Sequence, residues 1–401
     1  MAGREGAINT MSPPPAETAP ARPARTPERV IFGSASVGAG HNQAALAVMA
    51  ALAEEAPAAP AEFIDVLAHV PAWFRLAYGG GYALVVARFP WAYGLGYWLT
   101  HRPAGADRSL SERPRLAVEW RANRWFRRHV LDQRPALVVA THHLIMPVVG
   151  RMIGEGAEGL RMWAVITDHE AHRYWYAENV ERYFVSDDRV VDDLRRWRVP
   201  RERITVSGIP VHPKWTAPLD REQILRDWRL PADRPIVVIS GGAYFTVGPV
   251  ARTARRIARA TGAAVVVLAG SNKKLAAEIA ADPAADGGVR AVGFTDRVHE
   301  LTEVASVMVT KAGGLTTSEC IAKGVPMVLT RSVPGQEAAN VEMLSRAGAA
   351  VVAPSPRRIV RAVADLLADP QRLETLGRHA RALYRPACRT IARAIAQAVR
   401  T

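Results

Sequence analysis

The chain has 401 residues, 49% of them apolar and 22% charged, with a net charge of +14 and two cysteines. That length exceeds what one hydrophobic core serves, so two domains are expected, and the composition excludes a chain that is disordered throughout. Cys320 and Cys388 give neither a disulfide framework nor a metal cluster and point to a reducing, cytoplasmic compartment, while the charge favours some polyanion (nucleic acid, anionic bilayer or phosphate-bearing substrate) without choosing among them.

Residues 1–28, with Met11 to Pro23 dominated by Pro, Ala and Thr, read as a disordered extension that lacks the apolar run of a secretory signal peptide. From residue 29 onward short β-branched runs alternate with helical stretches, the pattern of βαβ units on a parallel sheet. In the first half strands are expected at Arg29–Gly33, Glu62–Val66, Ala136–Ala140, Met162–Thr167, Arg182–Ser186 and Ile204–Val206. The first of these runs into Gly33-Ser34-Ala35-Ser36-Val37-Gly38-Ala39-Gly40-His41, a small-residue loop opening a helix over Asn42–Glu55. It matches neither the dinucleotide fingerprint nor the Walker loop. His41 would stand at the helix N-terminus, where the dipole disfavours imidazolium, which suits a general base for a hydroxyl acceptor; a structural histidine is the alternative.

Between Val70 and Arg128 the sequence interleaves rings, among them Trp73, Phe74, Tyr78, Trp91 and Trp98, with basic residues such as Arg88. Such a mixture suits a membrane interface, and equally a buried aromatic cluster under an inserted helix pair. No stretch offers about 18 uninterrupted apolar residues, so a spanning helix is not expected. Thr167-Asp168-His169-Glu170-Ala171-His172 follows, at the expected C-terminal end of a strand, where open α/β sheets place ligands. Its histidines are three apart, not the four of a zinc-binding H-E-x-x-H helix, and no metal site is expected. Asp168 and His172 could orient an acceptor hydroxyl or the His41 ring; Asp168 could also merely cap a turn.

The join between domains is expected near Gly208–Leu219, with a new helix from about Asp220. Strands follow at Pro235–Ser240, Ala263–Ala269, Val289–Val292, Val307–Thr310, Met327–Leu329 and Ala349–Val352. Gly241 and Gly242 let backbone amides face a phosphate, and Lys311, Gly313 and Gly314 put a cation, a flexible pair and a helix start together after a strand, as a diphosphate requires. Thr316 and Glu319 spell a capping box, although Glu319 could instead accept from ribose hydroxyls. Gln336, Glu337 and Asn340 offer polar groups at a loop-to-helix junction, suited to sugar hydroxyls. The helical tail from Pro356 could pack on either domain. The expected division is thus 1–28, an acceptor or membrane domain over 29–213, a nucleotide-sugar domain over 214–380 and a C-terminal helix over 381–401.

Several of these pieces together resemble a known family, the monogalactosyldiacylglycerol synthases and bacterial processive diacylglycerol glucosyltransferases, and more distantly the peptidoglycan lipid-intermediate glycosyltransferase. The resemblance rests on Gly38-Ala39-Gly40-His41, Ile166-Thr167-Asp168 with His172 and Trp175, Val206-Ser207-Gly208-Ile209-Pro210, Val292-Gly293-Phe294-Thr295-Asp296, and Thr310-Lys311-Ala312-Gly313-Gly314 paired with Pro334-Gly335-Gln336-Glu337. It implies an α/β fold of the GT-B type, two Rossmann-like domains facing across a cleft. It also implies inverting transfer of a hexose, glucose or galactose, from a UDP-sugar to diacylglycerol or a related lipid at the cytoplasmic face of the membrane, with no resident cofactor. By the same resemblance His41 is the acceptor-side base, Gly40 lies beside it, Gly313 and Gly314 meet the diphosphate, Glu319 the ribose, Phe294 the uracil, and Gln336 and Glu337 the sugar, with Thr295 also among the nucleotide-sugar-binding residues. Ala312 replaces a proline frequent in the family, and the loop after Gly242 carries aromatics, which leaves the donor sugar open. Two other classes are a nucleotide-sugar epimerase of the same fold and a nucleic-acid binder. The latter is disfavoured by basic residues spread along the chain without an RNP or zinc-finger pattern.

Overall fold

The structure, a computed structural model, describes residues 28–81, 85, 88–101, 112–241, 249–281, 288–330, 335 and 337–399. Residues 1–27 of the expected extension, and Gly242 and Gln336 of the expected donor site, lie outside the described residues.

Among the described residues, twelve strands form two parallel sheets. The first sheet contains β1 (Val30–Ser34), β2 (Ala61–Asp65), β3 (Leu137–Ala140), β4 (Arg161–Val165), β5 (Arg182–Val185) and β6 (Ile204–Val206), in the order β2-β1-β3-β4-β5-β6. The second contains β7 (Ile236–Ser240), β8 (Ala264–Gly270), β9 (Val289–Gly293), β10 (Val307–Thr310), β11 (Met327–Leu329) and β12 (Ala350–Val352), in the order β12-β11-β10-β7-β8-β9, which is Rossmann topology. Every expected strand is present, with ends that differ from expectation by two residues at most. The cause is burial on both faces: Ile31, Val138 and Ala164 point into one apolar layer while Phe32, Val139 and Trp163 point into the other.

The helices that position the site are α1 (Gly40–Glu55), α2 (Pro90–Thr100), α3 (Asp188–Arg196), α4 (Arg221–Asp227), α5 (Gly314–Lys323), α6 (Ala338–Arg346) and α7 (Ala387–Ala398). Asp220 caps α4 by accepting from the backbone N–H groups of Glu222 and Gln223 at 2.9 and 3.1 Å, so the second domain starts where the proline-broken linker ends. The tail does not stand apart as a terminal piece. Helix α7 crosses back to the first domain, where Ile391 and Ile395 join Val48 and Leu52 of α1 in one buried cluster, and Cys388 Sγ–H donates to Val211 O at 2.8 Å.

Candidate active site

Each sheet has a switch point where strand order reverses, between β1 and β3 in the first domain and between β7 and β10 in the second. Ligands of open α/β sheets bind at the carboxyl ends of the strands there. Those ends carry His41 after β1, His142 and His143 after β3, Asp168 after β4, Gly241 after β7 and Lys311 after β10. The two domains meet at Gly314, where a β-carbon would fall 2.1 Å from Thr167 O and 3.2 Å from Asp168 Oδ1. Only glycine allows that approach.

His41 lies in the first turn of α1. Its Nδ1 is 3.0 Å from Thr141 O and 2.9 Å from Thr167 Oγ1. A carbonyl oxygen only accepts, so Nδ1 carries the proton and donates, leaving the Nε2 lone pair as the basic site. Burial lowers the His41 pKa below its ordinary 6.5, opposed by the Asp168 charge and the Thr141 bond. Burial raises the Asp168 carboxyl above its ordinary value, opposed by His41 and His169.

His41 and Asp168 line a cavity of about 470 Å³ together with His142, His143, Glu170, His172, Tyr174 and Trp175. His142 Nδ1 accepts from Leu144 N–H at 3.1 Å, which leaves its proton on Nε2. Burial pushes His142 and His143 well below the usual imidazole value and His172 to about 4, so this wall is a set of neutral rings at pH 7. No Lys or Arg lines the cavity among the described residues.

The remaining wall is α2. Ala92, Tyr93, Gly96, Tyr97 and Thr100 face the cavity, while Trp91, Leu95, Trp98 and Leu99 face outward, with both indoles 70% exposed. At 100° per residue the two sets occupy opposite arcs of one helix that has no charged residue. His172 ties α2 down: its Nδ1 accepts from Tyr174 N–H at 3.2 Å, so Nε2–H donates towards Tyr97 O (3.2 Å) and Thr100 Oγ1 (3.1 Å). Trp73 and Arg88 are exposed and Tyr78 lines the cavity, but Phe74 is a correction: it is buried in the core, stacked on Tyr78 at 5.4 Å, because the short helix Ala72–Arg75 turns it inward.

Across the cleft, α5 begins at Gly314 with Gly313 as its N-cap, with no side-chain cap and no acidic residue in its first turn. Its free N–H groups and dipole suit an anion. The expected Thr316–Glu319 capping box does not form, because the helix starts upstream of Thr316. Thr316 stays partly exposed on α5. Lys311 Nζ pairs with the buried carboxylate of Glu337. Burial pushes Glu319 up to about 8, with Lys214 opposing. Phe294 is 91% exposed, Thr295 Oγ1 accepts from Arg297 N–H at 3.1 Å, and Gly241 is buried at the end of β7. Asn340, expected on a sugar, is fully buried: Oδ1 accepts from His169 N–H at 3.0 Å and Nδ2 donates to Ala312 O at 2.8 Å, pinning the domains together. His169 and His172 part company, since His169 Nδ1 meets Asp187 Oδ2 at 2.5 Å. Gly40 faces α5, where a β-carbon would lie 3.7 Å from Leu315 Cβ.

Comparison with known proteins follows this division. The family model for monogalactosyldiacylglycerol (MGDG) synthase matches residues 41–211, and that for glycosyl transferases group 1 matches residues 220–383. The chain is 29% identical over 257 residues to a processive diacylglycerol beta-glucosyltransferase of Bacillus licheniformis, covering 64% of this chain and 66% of that protein. It is 28% identical over 255 residues to the protein of that name from Bacillus subtilis, covering 63% and 66%. Thus the chain spans 66% of the length of each of these relatives. Among solved structures, MurG of Acinetobacter baumannii superposes with a TM-score of 0.54 at 16% identity, over 92% of this chain and 99% of MurG. A UDP-GlcNAc 2-epimerase from Neisseria meningitidis, bound to UDP-GlcNAc, superposes with a TM-score of 0.58 at 10% identity, over 92% and 98%. The resemblance read from the sequence is borne out, and the fold is the GT-B arrangement of two Rossmann-like domains.

Proposed function

We propose, for a chain whose halves match these two glycosyltransferase families, that it transfers a hexose, glucose or galactose, with inversion from a UDP-sugar to the hydroxyl of diacylglycerol or a related neutral lipid at a membrane surface. The observation that carries this is the cavity at His41: a basic nitrogen inside a largely aromatic wall that has no Lys or Arg among the described residues and whose helix presents tryptophans outward. A phosphate-bearing acceptor would call for arginine or lysine in that wall. The epimerase shares the fold but has no need of such a cavity or of an apolar outer face.

In this reading the lipid hydroxyl gives its proton to His41 Nε2 while its oxygen attacks the anomeric carbon from the face opposite the diphosphate. The bond to the diphosphate breaks and UDP leaves with the electron pair. Thr141 fixes the tautomer of the base, and Asp168 offsets the imidazolium charge that forms. The open N-terminus of α5 and Lys311, exchanging Glu337 for phosphate, receive the charge of the leaving group. Phe294 would stack on the uracil, Glu319 would take the ribose hydroxyls and Glu337 the sugar. Helix α2, with 11 residues and apolar on both faces, is too short to span a bilayer and suits the interfacial layer, and no helix among the described residues is long and apolar enough to cross a membrane.

The test is turnover of a panel of UDP-sugars with diacylglycerol in anionic mixed micelles, reading glycolipid and UDP together. Glycolipid from one donor establishes the reaction and names the sugar. UDP release without glycolipid moves the acceptor elsewhere, and conversion of the sugar without any acceptor favours the epimerase.

A further inference from the structure

We propose that Tyr97 is a positioning residue that holds Gly335, just ahead of α6, against the acceptor cavity, so that the helix facing the lipid surface and the start of α6 act as one unit. This rests on the transferase reading of the cleft.

The Tyr97 ring lies on the cavity face of α2, and Gly335 sits so close above it that a β-carbon there would fall 2.7 Å from Tyr97 Cδ1 and 2.9 Å from Cγ. Gly335 also has φ +88, so both contact and backbone call for glycine. The ring is fixed from several sides. Its hydroxyl donates to Glu170 Oε2 at 2.9 Å, its ring centroid lies 4.5 Å from that of His172, and its backbone carbonyl accepts from His172 Nε2–H at 3.2 Å.

Glu170 continues the link. Its Oε1 accepts from Arg189 Nη2 at 3.4 Å, and Arg189 Nη1 donates to Glu342 Oε2 on α6 at 2.6 Å. Tyr97 therefore engages the second domain directly through Gly335 and indirectly through Glu170, Arg189 and Glu342. The two engagements bracket the first turn of α6, next to Glu337, which holds Lys311. A ring shared by the cavity wall and Gly335 sets the distance between a hydroxyl at His41 and the anomeric carbon. A displacement of about 1 Å in such an arrangement costs on the order of 10²-fold in rate.

The experiment is a kinetic cycle on the full chain with diacylglycerol in phosphatidylglycerol mixed micelles, alongside UDP affinity by calorimetry. Tyr97→Ala is expected to lower kcat by on the order of 10²-fold. Tyr97→Phe, which keeps the ring and loses one hydrogen bond, should lower it by less than about tenfold, and both should keep UDP affinity within about twofold of wild type. Gly335→Ala, which drives the ring aside and also strains the backbone at φ +88, should cost at least as much as Tyr97→Ala alone and distinctly less in the Tyr97→Ala background, where only the backbone strain remains. Additive losses, or a normal kcat in Tyr97→Ala, overturn the assignment. Hydrogen exchange of residues 337–346 reads the same contact without turnover: exchange faster in Tyr97→Ala than in wild type is expected, and identical exchange overturns it. A wild type that makes no glycolipid sinks the transferase reading while the exchange result still decides the contact; an active wild type with a kinetically normal Tyr97→Ala sinks the positioning role alone.

Discussion

Replacing Trp91 and Trp98 together with serine should release the protein from phosphatidylglycerol vesicles without unfolding it. Both indoles stand 70% exposed on the outer arc of α2, with Leu95 and Leu99 beside them. Taking about 200 Å² as the surface an aromatic side chain can bury, roughly 140 Å² of each ring is available to a bilayer. At about 25 cal/mol per Å² that is worth about 3.5 kcal/mol per ring on full burial, and about half as much at interfacial depth. The pair then contributes about 3.5 kcal/mol, or roughly a 300-fold change in partition coefficient. Neither ring supports the core, so the melting temperature should stay close to wild type. Vesicle flotation at two salt concentrations is the assay, because attraction of the net +14 chain to anionic lipid weakens with salt whereas burial of indole does not. A double variant that floats as well as wild type at high salt would refute the docking role of α2.

His41→Ala should lower kcat by about 10² to 10⁴-fold while calorimetry finds UDP binding intact; near-normal turnover would refute the base assignment. Because burial lowers the His41 pKa, the base stays neutral into mildly acidic solution, and the acid limb of kcat/KM should lie below pH 6.5 in wild type. The Glu319 carboxyl is raised from 4.5 to about 8, so the stability linked to it is complete below pH 4.5 and is lost as pH rises through 8. Glu319→Gln should therefore melt closer to wild type at pH 5 and above it at pH 9; parallel melting curves at both pH values would show that this carboxyl is not held neutral. Asn340→Ala leaves His169 N–H and Ala312 O without their partner at a buried seam, a loss of about 1–3 kcal/mol that urea unfolding would detect.

The strands were legible because parallel strands buried on both faces read as unbroken β-branched runs, as in Leu137–Ala140 and Ile236–Ser240. Strand ends carry ligands in such sheets, which marks Asp168 and His172 in the sequence and marks Thr141-His142-His143 at the end of β3 by the same signal. The aromatic segment allowed a membrane reading and a core reading; Phe74 and Phe126 are buried, as a core requires, while Trp91 and Trp98 stand exposed. No periodicity could decide that, since α2 is apolar all round. Asn340 sits at a loop-to-helix junction that suits a sugar, yet its partners Ala312 and His169 come from elsewhere in the chain. Tyr97 is likewise defined by Gly335, Glu170 and His172, contacts that only the closed tertiary fold creates.

The cluster that joins Ala45, Val48 and Leu52 to Ile391 and Ile395 also orders the birth of the molecule. During synthesis the flank of α1 emerges early and its partner helix emerges only after the whole second domain has been made, an interval of roughly 20 to 70 s at about 5–20 residues per second. Through that interval the second domain can close its own core while the first keeps an apolar groove open to solvent, to chaperones or to a bilayer. The flank of the helix that holds His41 is therefore covered last, and that side chain reaches its final setting only once α7 has been made.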